Sequence, residues 1–333
     1  MKVQLFTLVA LFALALMAEP ALAQNSEKPS QPLNPIARLL RLDSLARPAA
    51  RASVPGQDAV AKGLAKVKIY KYSSADYPGG GTNYVFDKNN TIILGDTVFA
   101  STLPPPFFGF TQTASTYALL SVPGSTTNTA LGINTSGQIV GIYTDAAFNM
   151  QHGFLLDTSG EFVTVDDPSG EAGSTVVYDI NDSGEMVGSY TDSVAGVPYG
   201  FSSPDGFTFN NFNGPDAFST EATGVNAGGD IVGYWTDSTN VRHAFLLTGT
   251  FTSIDFPLAK STTAIGINDS GDIAGWFEDA AGNSHGFILS RGQFTQVDVA
   301  GASGTELTRI KNNGNITGVY VDSGGEIHGV VGR

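Results

Sequence analysis

Residues 223–256 alternate between short apolar stretches and polar turns. The stretches "TGVN", "DIVGYW", "HAFLL" and "FTSIDF" are rich in β-branched and aromatic residues, the chemistry of a pleated, half-buried strand. Asn-Ala-Gly-Gly separates the first two, and Asn-Asp-Ser-Gly stands at the matching place elsewhere. Asn and Asp bond their own backbone, and glycine supplies the positive φ of a hairpin turn. A second short Asp/Gly/Asn-rich turn follows, and "SPDG", "SRG" or "DTSG" precedes the fourth stretch in other copies. Connections this short force antiparallel neighbours, so the pattern predicts a four-stranded meander.

The meander recurs. "LGINTSGQIVGIYTDAAFNMQHGFLL" begins at Leu131, "YDINDSGEMVGSYTDSVAGVPYGFSS" at Tyr178, "TGVNAGGDIVGYWTDSTNVRHAFLL" at Thr223, "IGINDSGDIAGWFEDAAGNSHGFIL" at Ile265 and "TRIKNNGNITGVYVDSGGEIHGVV" at Thr308. A divergent copy, "YVFDKNNTIILG", begins at Tyr84. One slot falls at Asp87, Asn134, Asn181, Asn226, Asn268 and Lys311, with gaps of 47, 47, 45, 42 and 43 residues. Four strands repeated at this period predict β-propeller blades; a parallel solenoid, the main alternative, needs no hairpin turn in every coil. The last copy supplies three strands, while an orphan strand, "KVKIYKY" (66–72), precedes the first. It sits where "FTQVDV" (294–299) sits ahead of the sixth copy. The expected fold is therefore all-β: a six-bladed β-propeller of four-stranded antiparallel blades, the last closed by the N-terminal strand 66–72. Such closure hides strand edges that would otherwise pair with other chains.

Units of the form Gly-Ile-Asn-x-x-Gly-x-Ile-Val-Gly, then Asp followed by "HGF" (152–154, 285–287) or "HAF" (243–245), resemble the HAF-type extracellular repeat family of bacteria over about residues 80–333. The resemblance implies an exported bacterial protein, with no catalytic residue or cofactor common to the family. The first copy departs from the pattern, with "FFGF" (107–110) and no histidine.

Composition and charge add a compartment. Lys2, the 13-residue apolar run Leu5–Met17 and Ala21-Leu22-Ala23 together predict a signal peptide over 1–23. Five prolines and four arginines in 24–62 predict a linker, leaving 63–333 as the propeller domain. Within the linker, "IARLLRLDSLARPAARA" (36–52) is basic and amphipathic until Pro48. Residues 1–72 hold 10 Lys/Arg against 4 Asp/Glu, and residues 73–333 hold 7 against 27. So acidic a body excludes nucleic acid and anionic membrane surfaces as partners. Absence of cysteine removes disulfides, thiol nucleophiles and thiolate metal sites.

Two constellations carry candidate chemistry. All four histidines occupy one slot at the start of the third strand: His152, His243, His285 and His328. Tyr199 and Phe108 hold it in the other two copies. Asp145, Asp237, Asp279 and Asp322 end the second strand six or seven residues earlier, as Asp192 does before Tyr199. An Asp-oriented imidazole is the general base of many enzymes. Copies of one pair distributed around a ring do not converge, however, so the pairs are read as structural clamps. One aromatic per copy (Tyr143, Tyr190, Trp235, Phe277, Tyr320) reads as core between blades. The second constellation breaks the repeat. The position before the innermost Ile/Val is Gly132, Gly224 and Gly266 in three copies, but Asp179 and Arg309 in the third and sixth and Val85 in the first. In a six-membered ring the third and sixth blades oppose each other, so Asp179 and Arg309 become a candidate ligand site on the channel axis.

The functional expectation is an exported, extracellular or periplasmic, non-enzymatic scaffold, monomeric, presenting loops to a protein, glycan or surface polymer. The alternative is a secreted hydrolase or lyase at the channel mouth, drawing on Asp179, Arg309 and nearby Asp166, Asp167 and Glu171. No catalytic residue, metal or cofactor is assigned; Asp-rich turns such as "DDPSGE" (166–171) have the ligand chemistry for weak calcium binding, and a solvated loop is the favoured reading.

Overall fold

The computed structural model describes residues 72–74, 78, 83–98 and 107–332. The expected signal peptide and linker, and most of strand 66–72, lie outside the described residues. Among the described residues twenty-four strands follow one another, and no helix is long and apolar enough to cross a membrane.

Three repeats form separate four-stranded antiparallel sheets in chain order. They are β10–β13 (Val176–Ile180, Met186–Thr191, Pro198–Ser203, Asn210–Phe212), β14–β17 (Ser219–Val225, Ile231–Thr236, Arg242–Leu247, Phe251–Ser253) and β18–β21 (Ser261–Ile267, Ile273–Glu278, Ser284–Ser290, Gln293–Val297). In the sixth repeat β22 (Gly304–Ile310), β23 (Ile316–Val321) and β24 (Ile327–Gly332) take their fourth strand from β1 (Tyr72–Ser74), which runs antiparallel to β24 with Tyr72 opposite Gly332. Of the segment 66–72 expected to supply this strand, only Tyr72 lies within the described residues.

The first two repeats differ from expectation. β2–β5 (Asn83–Lys88, Ile92–Val98, Phe107–Thr113, Thr116–Leu119) and β6–β9 (Ser125–Ile133, Ile139–Asp145, Gln151–Leu156, Phe162–Val165) join as one eight-stranded sheet, so the described residues form five sheets. The joint is one parallel pair, Phe108 opposite Asn128, where the Asn128 Oδ1 accepts the Gly109 N–H at 3.1 Å. The fold is all-β and propeller-like.

Each innermost strand carries a bulge against its neighbour, for example between Ala222 and Gly224. The bulge turns the residues beyond it toward a common axis. Apolar clusters fill the spaces between consecutive repeats. Leu94 of the first packs with Ala130 and Phe154 of the second, and Ala274 of the fifth with Leu307 and Ile316 of the sixth. Val85 of the first repeat packs on Val331 of the sixth.

Candidate functional site

The innermost strands place one residue per repeat in each of several layers along the axis. Beyond the bulge the layer is Asp87, Gly132, Asp179, Gly224, Gly266 and Arg309, each paired with the residue just before the second strand's glycine. This corrects the first repeat, where Asp87 and not Val85 holds the position; Val85 lies before the bulge, opposite Gly95. The glycines are required by crowding. A Cβ on Gly132 would sit 2.9 Å from the Asp179 Cα, and one on Gly266 2.9 Å from the Arg309 Cα.

Asp179 and Arg309 do face one another. The Arg309 Nε lies 3.5 Å from Asp179 Oδ1 and 3.9 Å from Asp87 Oδ2, and both partners are almost fully buried. Arg309 also donates from Nη1 to the carbonyls of Thr308 (2.8 Å) and Ile265 (3.2 Å), and from Nη2 to those of Tyr178 (2.6 Å) and Leu131 (3.4 Å). One side chain thus ties together repeats two, three, five and six. Asp179 Oδ2 accepts the Val225 N–H (3.1 Å), and Asp87 Oδ2 accepts the Ile133 N–H (2.9 Å) while its Oδ1 meets Lys311 Nζ at 2.6 Å. Burial pushes the Asp179 carboxyl above its ordinary value, against the pull of Arg309. These groups plug the axis.

Above the plug lies a collar of Ile133, Ile180, Val225, Ile267, Ile310 and Lys88, and above that a ladder of asparagines. Together with Asp179 and Arg309 at its floor they line a cavity of about 240 Å³, polar and apolar in equal parts. Asn89 donates from Nδ2 to the carbonyl of Asn134 (3.2 Å), Asn134 to Asn181 (3.2 Å), Asn181 to Asn226 (2.9 Å), Asn226 to Asn268 (3.4 Å) and Asn268 to Lys311 (3.5 Å). Each Oδ1 meanwhile accepts N–H groups of its own turn, as Asn181 does from Ser183 (3.1 Å) and Glu185 (2.9 Å). An amide both donates and accepts, which a carboxylate cannot. The first repeat's slot therefore belongs to Asn89 and not to Asp87.

The histidines sit at the opposite end of the sheets, each in its own repeat. His152 Nε2 lies 3.1 Å from Asp145 Oδ2; the corresponding separations are 3.7 Å for His243–Asp237, 3.5 Å for His285–Asp279 and 3.4 Å for His328–Asp322. The second nitrogen finds a carboxylate that the sequence reasoning missed. His152 Nδ1 meets Asp166 at 2.7 Å, His243 Nδ1 meets Asp255 at 2.8 Å and His285 Nδ1 meets Asp298 at 2.9 Å. The signal was present, since each of these aspartates ends a fourth strand in "VDDP", "IDFP" or "VDVA". Each ring also stacks on the second-strand aromatic: Tyr143, Trp235, Phe277 and Tyr320 lie 5.2, 4.5, 5.3 and 5.1 Å away between centroids. Tyr143, Tyr190 and Phe277 belong to the clusters between repeats, and Trp235 packs against one. Asp166, the calcium candidate, is engaged by His152, and Asp167 Oδ1 accepts the Ser169 N–H at 2.8 Å.

Burial lowers the basicity of His152 and His285, but the flanking carboxylates outweigh it and leave both imidazoles above their ordinary value. The Phe148 N–H foremost holds Asp145 below the usual carboxylate range; Asp279 is lowered too, with hydrogen bonds from Asn283 outweighing its burial. Histidines of raised pKa stabilise the fold fully below the unfolded value near 6.5 and lose that contribution as pH rises through the folded value. Melting temperature should therefore fall modestly as pH rises above about 6.5. In a His152→Tyr/His285→Tyr variant, which copies Tyr199 of the third repeat, that step should vanish. A step unchanged in the variant would assign it to other groups.

No family model and no curated protein matches this chain. Among solved structures, the chain is similar to TolB from Acinetobacter baumannii, at 12% identity and a TM-score of 0.50, over 75% of this chain and 65% of that one. It thus spans just under two thirds of the TolB chain. The β-propeller domain of the Trilobed protease from Pyrococcus furiosus aligns at 8% identity and a TM-score of 0.46, over 75% of this chain and 95% of that one. The fucose-specific lectin from Aleuria aurantia aligns at 11% and 0.44, over 77% and 93%. At such identities it is the fold that is shared: the chain is a propeller-like all-β protein.

Proposed function

We propose that the chain is a closed six-bladed propeller, exported by a bacterium, that binds a partner without catalysing a reaction. Several contacts support the ring. The eight-stranded sheet divides at a single residue pair into two four-stranded meanders, each equivalent to the other repeats. β1 completes the sixth repeat, and the Thr308 hydroxyl donates to the Val85 carbonyl at 3.0 Å across the first–sixth boundary. Where the asparagine ladder reaches Lys311, the Lys311–Asp87 ion pair bridges the same boundary. The repeat pattern's resemblance to the HAF-type family supports export to the periplasm or beyond.

The observation that carries the binding reading is the spent axis. A hydrolase or lyase at the mouth needs unlike groups free to meet a substrate. Asp179 and Arg309 are instead buried and committed to each other and to backbone, and each histidine with its carboxylates lies within its own repeat, apart from the others. Purified protein should show no turnover on a panel of polysaccharides and esters, yet retain a specific partner in a pull-down from the native envelope. Turnover that disappears in Asp179→Asn with the melting temperature preserved would establish the enzyme reading instead.

A further inference from the structure

Resting on the binding reading, we infer that the binding face is the end of the sheets opposite the asparagine ladder, and that its partner is a separate polypeptide segment bearing cationic and apolar side chains together.

The face is built from turns after the second strands and from the connections between repeats, which bond to one another. Ala146 N–H donates to Gly124 O, Ser193 to Ser169, Phe218 to Thr236 and Lys260 to Glu278, at 2.9, 3.2, 2.8 and 2.8 Å. Of six large apolar side chains exposed among the described residues, four lie here: Phe148 (79% exposed), Val194 (95%), Phe218 (58%) and Leu258 (81%). Phe148 and Val194 lie on the turns after β7 and β11, and Phe218 and Leu258 on the connections into β14 and β18, one for each of four successive repeats. Single exposed apolar residues need no explanation; a series on one face does.

Leu258 adds an independent sign. The connections Val122–Ser125, Gly214–Ala217 and Phe256–Ala259 are turns closed by an N–H of the fourth residue on the carbonyl of the first, each with proline second. Proline second and positive φ third is the type II turn, which asks for glycine in third place. Gly124 obeys (φ 72°), Gly301 matches it in Val299–Ala302 (φ 82°), and Asp216 stands there at φ 56°, a residue type that tolerates the left-handed region; Leu258 adopts φ 64° with its side chain in solvent. A leucine there bears backbone strain while burying little of its side chain, which fits a role outside the fold.

Charge names the partner's chemistry. The turns after the second strands (145–150, 192–197, 237–241, 278–283, 322–326) and the connections (120–125, 166–175, 213–219, 254–261, 298–304) hold thirteen Asp/Glu against Lys260, and the four histidines beside them pair with seven of those carboxylates, so the face stays acidic whether or not the imidazoles are charged. Such a face repels anionic lipid and nucleic acid and attracts cations. Apolar tips spaced over four repeats need matching apolar groups along a chain, which a basic amphipathic polypeptide provides.

The test is fluorescence anisotropy of a labelled, synthetic amphipathic Leu/Lys peptide against the full chain. Counterpart peptides carry Leu→Ser or Lys→Glu changes. Binding should weaken about tenfold in a Phe148→Ser/Leu258→Gly variant and be lost with the Lys→Glu peptide. Leu258→Gly alone should raise the melting temperature while weakening binding, a combination that unfolding cannot produce. Equal affinity for the Leu→Ser peptide, or unchanged affinity of the variants, overturns the inference. So does binding only of a peptide of residues 36–52, since the chain's own segment would then be the occupant. An envelope pull-down recovering the same partner with parent and double variant would refute this face while leaving the broader binding reading intact.

Discussion

Arg309→Met should cost the fold about 3–5 kcal/mol at pH 7, the range for removing one partner of a buried ion pair. The loss has two sources. Asp179 and Asp87 keep their burial but lose the guanidinium at 3.5 and 3.9 Å, and four carbonyls lose their Arg309 donors. For a chain of this size the melting temperature should drop by roughly 10 °C. The pH dependence is a sharper check. Without the guanidinium, the largest opposing influence, only Lys311 and the Val225 N–H are left to counter the burial that already raises Asp179, so its folded pKa moves further above the unfolded value. A carboxyl raised in the folded state loses stability as pH climbs from the unfolded value toward the folded one. The gap between variant and parent should therefore widen from pH 4 to pH 7. Adding Asp179→Asn should recover part of the loss, because the buried group no longer ionises. A cost below about 1 kcal/mol at every pH would mean that the arginine does not hold the axis.

That plug was half legible in the sequence. Asp179 and Arg309 stood out because three other repeats place glycine at their position, and ring geometry set them opposite each other. The third charge, Asp87, was mislocated. In five repeats an aliphatic residue follows the axial position, but the first repeat puts Lys88 there, so the marker shifted to Val85. A bulge adds a residue without leaving a mark in the hydrophobic pattern, and the pairing register alone reveals it. Strands and hairpins were legible because each repeat spells out its turn, with glycines such as Gly184 and Gly229 at φ 89° and 80°. The bonds between repeats were not: an asparagine placed to cap its own turn looks the same whether or not its amide also reaches the next repeat. Carboxylates such as Asp255, 12 residues after His243, escaped because strand pairing and not sequence spacing brings them together.

The glycine of the second strand shows the opposite case, a sequence signal whose force only the packing reveals. Gly141, Gly188, Gly233, Gly275 and Gly318 precede an aromatic by two residues, Gly95 precedes Thr97, and none of the six has the positive φ that usually explains a glycine. They are held by contact. A Cβ on Gly233 would lie 2.0 Å from the Glu221 carbonyl oxygen and 2.8 Å from the Phe245 ring; on Gly141 and Gly188 the nearest carbonyl is again 2.0 Å away. Backbone cannot swing aside as a side-chain tip can. Gly233→Ala must therefore open the β14–β15 pair next to its bulge or displace Phe245, which is fully buried between the third and fourth repeats. The expected cost is at least about 3 kcal/mol, the upper end for overpacking. The control is Gly249→Ala, at φ 74° in an exposed turn with no atom within 4 Å of the added methyl; only the backbone term of about 1 kcal/mol applies there. Denaturant midpoints of the two variants should separate clearly, with Gly233→Ala much the lower. Equal midpoints would mean that the strand pair yields freely, and that the glycine recurring in every repeat is not there to let backbone and ring pack together.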